Sequence, residues 1–432
     1  MDNKTKLKGE ITIPPDKSIS HRSIIFGALT KGKIKIKNLS VCEDVISTLN
    51  IFKQLGLKFE YTSQRNLNID ATGLFKNKNE EYVFDCGNSG TTTRLLSGLF
   101  SWQDFTSVLT GDESLSKRPM KRIIEPLRLM GAEIDSNDYK LPLKIKGREL
   151  NTIEYHSPIA SAQVKSCILL AGLGIDDITT VYEKNLSRNH TELMLSYLDA
   201  NISTGKDNNG YYSKIGKSQL MPKDIEITGD ISSAAFFMVA AAIIPNSSVV
   251  IKNVGINPTR TGILDVFNQA EIDYKILNEK TVCSEATADI EVNYTENIKP
   301  FEIKGDLVPR LIDEIPILSL LATQANGISV IKDAKDLRNK ESDRIKTIVD
   351  AYKKLNIESK EYDDGFLVEG KSEINKDITL ETYLDHRLAM TYYVLSLLNK
   401  KETIINGFKC VNTSFPEFLD LMNKLVNKQS LE

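Results

Sequence analysis

Six times along this chain a short polar cluster runs straight into a mostly apolar stretch, and the six are spaced almost evenly. The segments are DKSISHRSIIFGAL from Asp16, NSGTTTRLLSGLF from Asn88, IASAQVKSCILLAGL from Ile159, GDISSAAFFMVAAAI from Gly229, DEIPILSLLATQA from Asp313 and DHRLAMTYYVLSLL from Asp385. With Ser18, Ser89, Ser161, Ser232, Glu314 and His386 as anchors, the gaps are 71, 72, 71, 82 and 72 residues. A fixed period of this kind marks one supersecondary unit copied along the chain. Each run is long enough for a helix, and its Ser, Asn or Asp opening can cap the exposed backbone N–H groups. Apolarity on nearly every face predicts helices buried all round. A β-branched or apolar stretch follows (GKIKIKNL, SSVVIKNV, GISVIKDA, ETIINGF), then an amphipathic helix such as VISTLNIFKQLG or RIKTIVDAYKKLNI, then further short strands.

One unit cannot cover its own apolar helix, so copies must pack together. Three copies make a domain of roughly 215 residues and six make two, which suits a chain of 432 residues. The natural division falls between the third and fourth copies, near PKDIEITGD at 222–230. No Pro/Gly/Ser-rich linker marks it, so the join reads as a short hinge.

The balance of 55 Lys and Arg against 58 Asp and Glu gives a net charge of −3, which argues against a nucleic-acid or membrane-surface binder. Any anion site must be built locally. Five scattered cysteines without a C-x-x-C pair read as reduced thiols of a cytosolic protein, not as disulfides or a zinc site. The opening MDNKTKLKGE has no apolar leader. The long uncharged stretch Ile231–Ile251 is broken by Ser232, Ser233 and Pro245-Asn246-Ser247-Ser248, so it reads as a buried helix and a turn. No Walker loop, G-x-S-x-G elbow, dinucleotide fingerprint or H-E-x-x-H pair is present, and no metal or cofactor is expected.

Helix N-termini gathered near one another offer partial positive charge and free N–H donors, a seat for phosphate or carboxylate. The polar clusters add Lys17, Arg22, Arg94, Lys165 and Arg387, while Arg118, Arg188, Lys340 and Arg344 open neighbouring helices or loops. Any one cluster is explained by simple capping; six in register favour a shared site for anions. His21, His156 and His190 read as polar helix-start or loop residues. Asp313 and Glu341 stand among the cations, where a carboxylate keeps its charge easily and can move protons once water is excluded.

At this point the motifs resemble a known family. DKSISHR, GNSGTTTRLL, SKRPM, SAQVKS, SRNHTE, GDISSAAFF, IDEIPIL, NKESDRI and DHRLAM stand in the order found in 5-enolpyruvylshikimate-3-phosphate synthases, from residue 9 to residue 420. The resemblance implies an α/β (α+β) fold of two domains, each of three βαβαββ repeats around buried helices. Their ranges would be 15–228, and 1–14 with 229–432, with the active site in the cleft between them. It implies transfer of the enolpyruvyl group of phosphoenolpyruvate to the 5-hydroxyl of shikimate 3-phosphate with release of phosphate, on the shikimate pathway to chorismate and the aromatic amino acids. Carried over by motif, Lys17, Ser18, Arg22, Ser161, Gln163, Arg188, Asp313 and Lys340 would hold shikimate 3-phosphate. Lys17, Gly90, Arg118, Gln163, Arg344 and Arg387 would hold phosphoenolpyruvate. Asp313 would accept the hydroxyl proton and Glu341 would protonate the methylene carbon, with Lys17 counted beside them as catalytic. A cytoplasmic monomer without metal, cofactor, nucleic-acid or membrane partner is expected.

The chemistry suits these residue types, because forked arginine donors bind carboxylate and phosphate oxygens in pairs. Carboxylates can both move protons and stabilise the cationic character that addition creates at C2. One departure is Thr413 in VNTSFPEF, where some members carry lysine. The nearest rival is UDP-N-acetylglucosamine enolpyruvyl transferase, but the loop TGDESLSKRP lacks its reactive cysteine, and Ser18, not Asn, follows Lys17. A non-catalytic repeat scaffold or RNA-cleft binder is the rival from another class; Asp313 and Glu341 amid the cations speak against it.

Overall fold

A computed structural model of the chain describes residues 6–75 and 80–426. The opening MDNKT, read above for a leader, and residues 427–432, counted above with the second domain, lie outside the described residues. The chain divides into two compact units: residues 15–227 with 282–285, and residues 1–14 with 228–281 and 286–432.

The first unit holds three copies of the repeat. Their helices are α1 (Lys17–Leu29) and α2 (Glu43–Gln54), α3 (Gly90–Phe100) and α4 (Lys121–Leu129), and α5 (Ala162–Gly172) and α6 (His190–Tyr197). The second unit repeats the pattern with α7 (Ile231–Ile243) and α8 (Gly262–Ala270), α9 (Ile315–Ala322) and α10 (Arg344–Lys354), and α11 (His386–Leu398) and α12 (Phe418–Leu425). The odd-numbered helices are the six apolar runs. Every residue of α1 from Ile19 to Ala28 is buried, as expected of a helix with no polar face. The even-numbered helices bury one face, and in α2 that face is Val45, Thr48, Leu49 and Phe52.

Each of the four-stranded sheets follows one order. A leading strand lies parallel to the next, which pairs antiparallel with the last strand of a hairpin; in the second copy these are Glu81–Asp85, Thr106–Thr110 and Lys140–Lys146. The first and fourth copies trade leading strands. Lys8–Thr12, which precedes α1, pairs in parallel with Ser248–Gly255 of the fourth copy. The two-residue strand Ile225–Glu226 takes the vacant place beside Lys33–Lys37. The sixth copy is shorter than the expected βαβαββ. Ile378–Glu381 pairs with Thr403–Asn406, and no hairpin follows α12 among the described residues.

The unit boundaries also differ in detail from the expected ranges. Thr228 goes with the second unit, and Val282–Glu285, the turn between strands Tyr274–Val282 and Glu285–Asn293, goes with the first. Contacts explain the second difference: Glu285 Oε1 lies 2.6 Å from His190 Nδ1, and the Glu226 N–H donates to Cys283 Sγ at 3.3 Å.

Each unit has its own apolar core. In the first, Phe84, Phe100 and Phe105 stack about the second repeat. A Cβ at Gly98 would stand 2.0 Å from the Cys167 carbonyl oxygen, so only glycine lets α3 lie this close to α5. In the second, Phe236 and Phe237 of α7 pack on Phe418, and Phe237 also on Phe415. No helix among the described residues is long and apolar enough to cross a membrane.

Candidate active site

In the first unit the polar clusters sit where the buried helices begin. Asp16 caps α1, its Oδ1 accepting from the Ile19 N–H at 2.8 Å. Lys17, next in sequence, reaches across to α2, with Nζ 2.9 Å from Asp44 Oδ2. Arg22 lies one turn into the helix and is only 3% exposed. Its Nη1 donates to the Ser18 carbonyl at 3.0 Å, Nε to Thr191 Oγ1 at 2.7 Å and Nη2 to Ser166 Oγ at 2.8 Å. Burial lowers the Arg22 guanidinium to about 10, although Glu192 and Asp16 nearby lean the other way; the group stays charged at neutral pH.

Ser89 caps α3, accepting from the Thr92 N–H at 3.1 Å. Gly90 follows, and the space beside it is taken by cations. A Cβ there would stand 2.6 Å from Arg94 Nη1 and 3.5 Å from Arg118 Nη1. Arg94 Nη1 donates to Gln163 Oε1 at 2.7 Å, and Gln163 Nε2 to Thr91 Oγ1 at 3.0 Å. Arg118 Nη2 donates to Asn88 Oδ1 at 2.7 Å. Two guanidiniums, a side-chain-free position and a capped helix N-terminus thus converge, an arrangement suited to an anion.

Behind these groups runs a buried chain of side chains. His21 Nδ1 lies 2.8 Å from Thr48 Oγ1, which lies 2.7 Å from Thr92 Oγ1, which donates to Ser89 Oγ at 2.7 Å. Burial, with Lys17 and Arg22 close by, holds the His21 pKa well below 6.5, so the ring is neutral. His21, five residues into α1, is therefore a buried core residue; His190 opens α6, the helix start expected of it, and is buried against Glu285.

Lys165 departs from the expectation that it joins the anion-binding cations. Its Nζ lies 2.7 Å from Glu183 Oε2 and 2.8 Å from Glu192 Oε1, all three groups buried. Burial works against its charge, but the two carboxylates outweigh that and raise its pKa. Ser161 holds the N-cap position of α5 without a side-chain capping bond. Arg188 is near enough to Arg22 to press on its charge.

The second unit is organised around one arginine. Arg344, the first residue of α10, is 1% exposed. Its Nε donates to Asp385 Oδ2 at 2.8 Å and its Nη2 to Glu341 Oε2 at 2.6 Å. Its Nη1 is buried without a hydrogen-bond partner, 3.6 Å from Asp313 Oδ1. Burial opposes the charge, but Asp385, Glu341 and Asp313 overcome it and raise the pKa above the ordinary arginine value. Asp385 also caps α11, accepting from the Arg387 N–H at 3.0 Å. Lys340 Nζ lies 3.4 Å from Asp313 Oδ1, and Arg387 Nη1 donates to the Asp313 carbonyl at 3.3 Å. Glu314, adjacent to Asp313, is fully buried and accepts from Ser232 Oγ, which also accepts from Arg260 Nη2 at 2.6 Å.

Two groups of the candidate residues are therefore assembled within their own units. Arg94 and Arg118 both flank Gly90, and Arg94 carries Gln163; Asp313, Lys340, Glu341, Arg344 and Arg387 meet around Asp313 and Arg344. Lys17, Ser18 and Arg22 share the start of α1. Thr413 ends a short 3-10 turn, Phe408–Thr413. Arg94, named above only as a cluster cation, belongs to the first group; its place four residues after Gly90 puts both on one helix face. Among the described residues no set of three or more His, Cys, Asp or Glu side chains gathers as a metal site, and all five cysteines are free.

Residues 1–422 match the family model described as EPSP synthase (3-phosphoshikimate 1-carboxyvinyltransferase). A 3-phosphoshikimate 1-carboxyvinyltransferase of Thermoanaerobacter sp. (strain X514) is 46% identical over 420 residues, covering 97% of this chain and 98% of the relative. One from Bacillus cereus (strain B4264) is 45% identical over 424 residues, covering 97% of each. Among solved structures, the EPSP synthase of Acinetobacter baumannii superposes with a TM-score of 0.85 at 40% identity, over 98% of this chain and 96% of that one. The enolpyruvyl transferase NikO from Streptomyces tendae superposes with a TM-score of 0.78 over 97% of this chain and 95% of that one; at 15% identity it speaks for the fold alone.

Proposed function

This chain belongs to the EPSP synthase (3-phosphoshikimate 1-carboxyvinyltransferase) family, and from that premise we infer its reaction. The protein is a transferase that moves the enolpyruvyl (carboxyvinyl) group of phosphoenolpyruvate to the 5-hydroxyl of shikimate 3-phosphate and releases phosphate. The geometric observation that carries the reading is the pair of carboxylates, Asp313 and Glu341, set on either side of one buried guanidinium, Arg344.

The roles follow from chemistry. Asp313 takes the proton of the attacking hydroxyl, and Lys340 at 3.4 Å supports the charge it carries before that transfer. Glu341 delivers a proton to the methylene carbon as the C–O bond forms at C2, giving a tetrahedral intermediate. Loss of a proton from that carbon with departure of phosphate regenerates the double bond. Arg344, Arg387, Arg118, Gln163 and Lys17 hold phosphoenolpyruvate, with Gly90 leaving room for it. Lys17, Ser18, Arg22, Ser161, Gln163, Arg188, Asp313 and Lys340 hold shikimate 3-phosphate. Residues from both units are assigned to one substrate pair, and the enzyme works as a cytoplasmic monomer.

Phosphate release from phosphoenolpyruvate tests the reading. Release is expected with shikimate 3-phosphate as acceptor and not with UDP-N-acetylglucosamine. Turnover with the sugar nucleotide alone would overturn it.

A further inference from the structure

The buried run His21–Thr48–Thr92–Ser89 has no part in the reaction as assigned above, yet its protons can be placed by counting. A hydroxyl has one proton to give and two lone pairs with which to accept. The fixed point is the helix end, where Thr92 Oγ1 donates to Ser89 Oγ at 2.7 Å. With its proton committed there, Thr92 can only accept from Thr48, 2.7 Å away. Thr48 has then committed its own proton and can only accept from His21 Nδ1 at 2.8 Å. His21 is neutral, so its one ring proton sits on Nδ1, and Nε2, buried without a hydrogen-bond partner, is left as a bare lone pair. The opposite tautomer would turn the Thr48 proton to His21 and leave none between Thr48 and Thr92.

The run therefore points one way, from the imidazole to Ser89, and bonds aligned in this manner polarise one another. Ser89 Oγ accepts twice, from Thr92 Oγ1 and from the Thr92 N–H at 3.1 Å, which occupies both of its lone pairs. Among the described residues nothing accepts the Ser89 proton in turn, although the residue is 1% exposed. A buried donor without an acceptor is costly. This one stands at the start of α3, next to Gly90, where Arg94 and Arg118 converge.

We propose that Ser89 is a further binding residue for phosphoenolpyruvate, its hydroxyl donating to an anionic oxygen of that substrate, and that His21, Thr48 and Thr92 are positioning residues that keep its proton free for the purpose. Such a chain selects its ligand by protonation: a bare oxygen is accepted, whereas a ligand O–H or N–H in that place meets the Ser89 proton head-on. The inference rests on the reaction given above.

Ser89 also caps α3, so the test must separate capping from donation. Glycine at an N-cap costs little stability, and aspartate caps as well as serine; neither has a hydroxyl proton to give. Steady-state kinetics on the full-length enzyme are run with each substrate varied at saturation of the other, alongside urea unfolding. Ser89→Gly is expected to keep a urea midpoint near wild type and to raise the KM for phosphoenolpyruvate about tenfold, the scale of one hydrogen bond to a charged group. The KM for shikimate 3-phosphate should stay within about twofold. Ser89→Asp is expected to raise the KM for phosphoenolpyruvate at least as much, since it adds a like charge. Thr48→Val cuts the chain two residues from the ligand and keeps the shape, and should raise the same KM about threefold. An unchanged KM for phosphoenolpyruvate in Ser89→Gly would overturn the inference, as would an aspartate variant that binds this substrate as well as wild type. Equal rises in both KM values would overturn it too, because they would mark a general loss of structure. Should the buried aspartate prevent folding, the glycine and valine variants still decide. A wild-type enzyme inactive with shikimate 3-phosphate would count against the reaction assignment, whereas an active wild type with unaltered variants counts against the chain alone.

Discussion

Two buried arginines, one in each unit, are held in opposite electrostatic settings. Arg22 has only neutral groups in hydrogen-bond contact, and burial lowers it from 12.5 to about 10. Arg344 touches Asp385 and Glu341, with Asp313 close by, and is raised above its ordinary value. At 1.36 kcal/mol per unit, the depression at Arg22 corresponds to about 3 kcal/mol against the charged form. An entering anion can relieve that cost, which suits the substrate-binding role proposed for Arg22. The second unit has already matched its cation with carboxylates, and carboxylates can move protons. On the proposed reaction, the choice of partner around a buried cation makes the second unit the acid–base half, although Lys340, Arg344 and Arg387 bind substrate there too, and leaves the first unit to bind anions.

The most direct way to break this comparison is to remove each cation. Arg344→Met would strand Asp385, Glu341 and Asp313 around an apolar side chain, and breaking a buried ion pair from one side costs about 3–5 kcal/mol. Arg22→Met strands only hydroxyls and a carbonyl and removes a cation that burial disfavours. Urea unfolding is expected to show a large loss for Arg344→Met and a stability close to wild type or above it for Arg22→Met, which should nonetheless bind shikimate 3-phosphate poorly. Equal losses in the two variants would erase the distinction.

The next effect concerns the carboxylates themselves. Asp313→Asn and Glu341→Gln keep size and hydrogen bonding but cannot exchange a proton in the same way. Each is expected to lower kcat about 10²-fold or more, the scale of general acid–base contributions. Near-normal turnover in either variant removes that residue from the mechanism and weakens the claim that the second unit is the acid–base half.

Much of the architecture was legible because the period is carried by buried helices, whose apolar runs and capping residues leave a mark in sequence. The trade of leading strands was not readable from the residues alone: Ile225–Glu226 is two residues long, too short for any alternation to register. The hairpin tip was hidden for a related reason, since His190 and Glu285 stand 95 positions apart. Lys165 shows the limit most clearly. It occupies a helix start like Lys17 and Arg22, and only the fold brings back Glu183 and Glu192 to claim it. Ser166 and Thr191 gave no signal, because a hydroxyl near a helix start ordinarily reads as a cap or a backbone-bonded side chain.

Gly90→Ala sharpens the comparison on the binding side. The added methyl would stand 2.6 Å from Arg94 Nη1, closer than van der Waals contact permits, so the guanidinium must withdraw and disturb its 2.7 Å bond to Gln163. The tip of a flexible side chain can yield, so the fold should survive. The KM for phosphoenolpyruvate is expected to rise about tenfold, roughly 1.4 kcal/mol, with kcat and the KM for shikimate 3-phosphate changed less than about threefold. A fall confined to kcat would place acid–base work in the first unit, contrary to the comparison.

The smallest expected effect is in pH dependence, and it also belongs to the first unit. His21 is fully buried, and burial together with the charges of Lys17 and Arg22 lowers its pKa well below 6.5, with Asp16 opposing. As pH falls from 7, histidine in the unfolded chain gains a proton near its ordinary value while folded His21 does not. The unfolded state then binds more protons, so stability falls with pH, and the fall ends only once the folded pKa is passed. Between pH 7 and pH 6 this amounts to roughly 0.7 kcal/mol. His21→Asn keeps an N–H donor for Thr48 and removes the titration. Urea midpoints at the two pH values should therefore drop further for wild type than for His21→Asn. Equal drops would mean that His21 takes up its proton in the folded enzyme as readily as in the unfolded chain, and that the first unit tolerates a third cation beside Lys17 and Arg22.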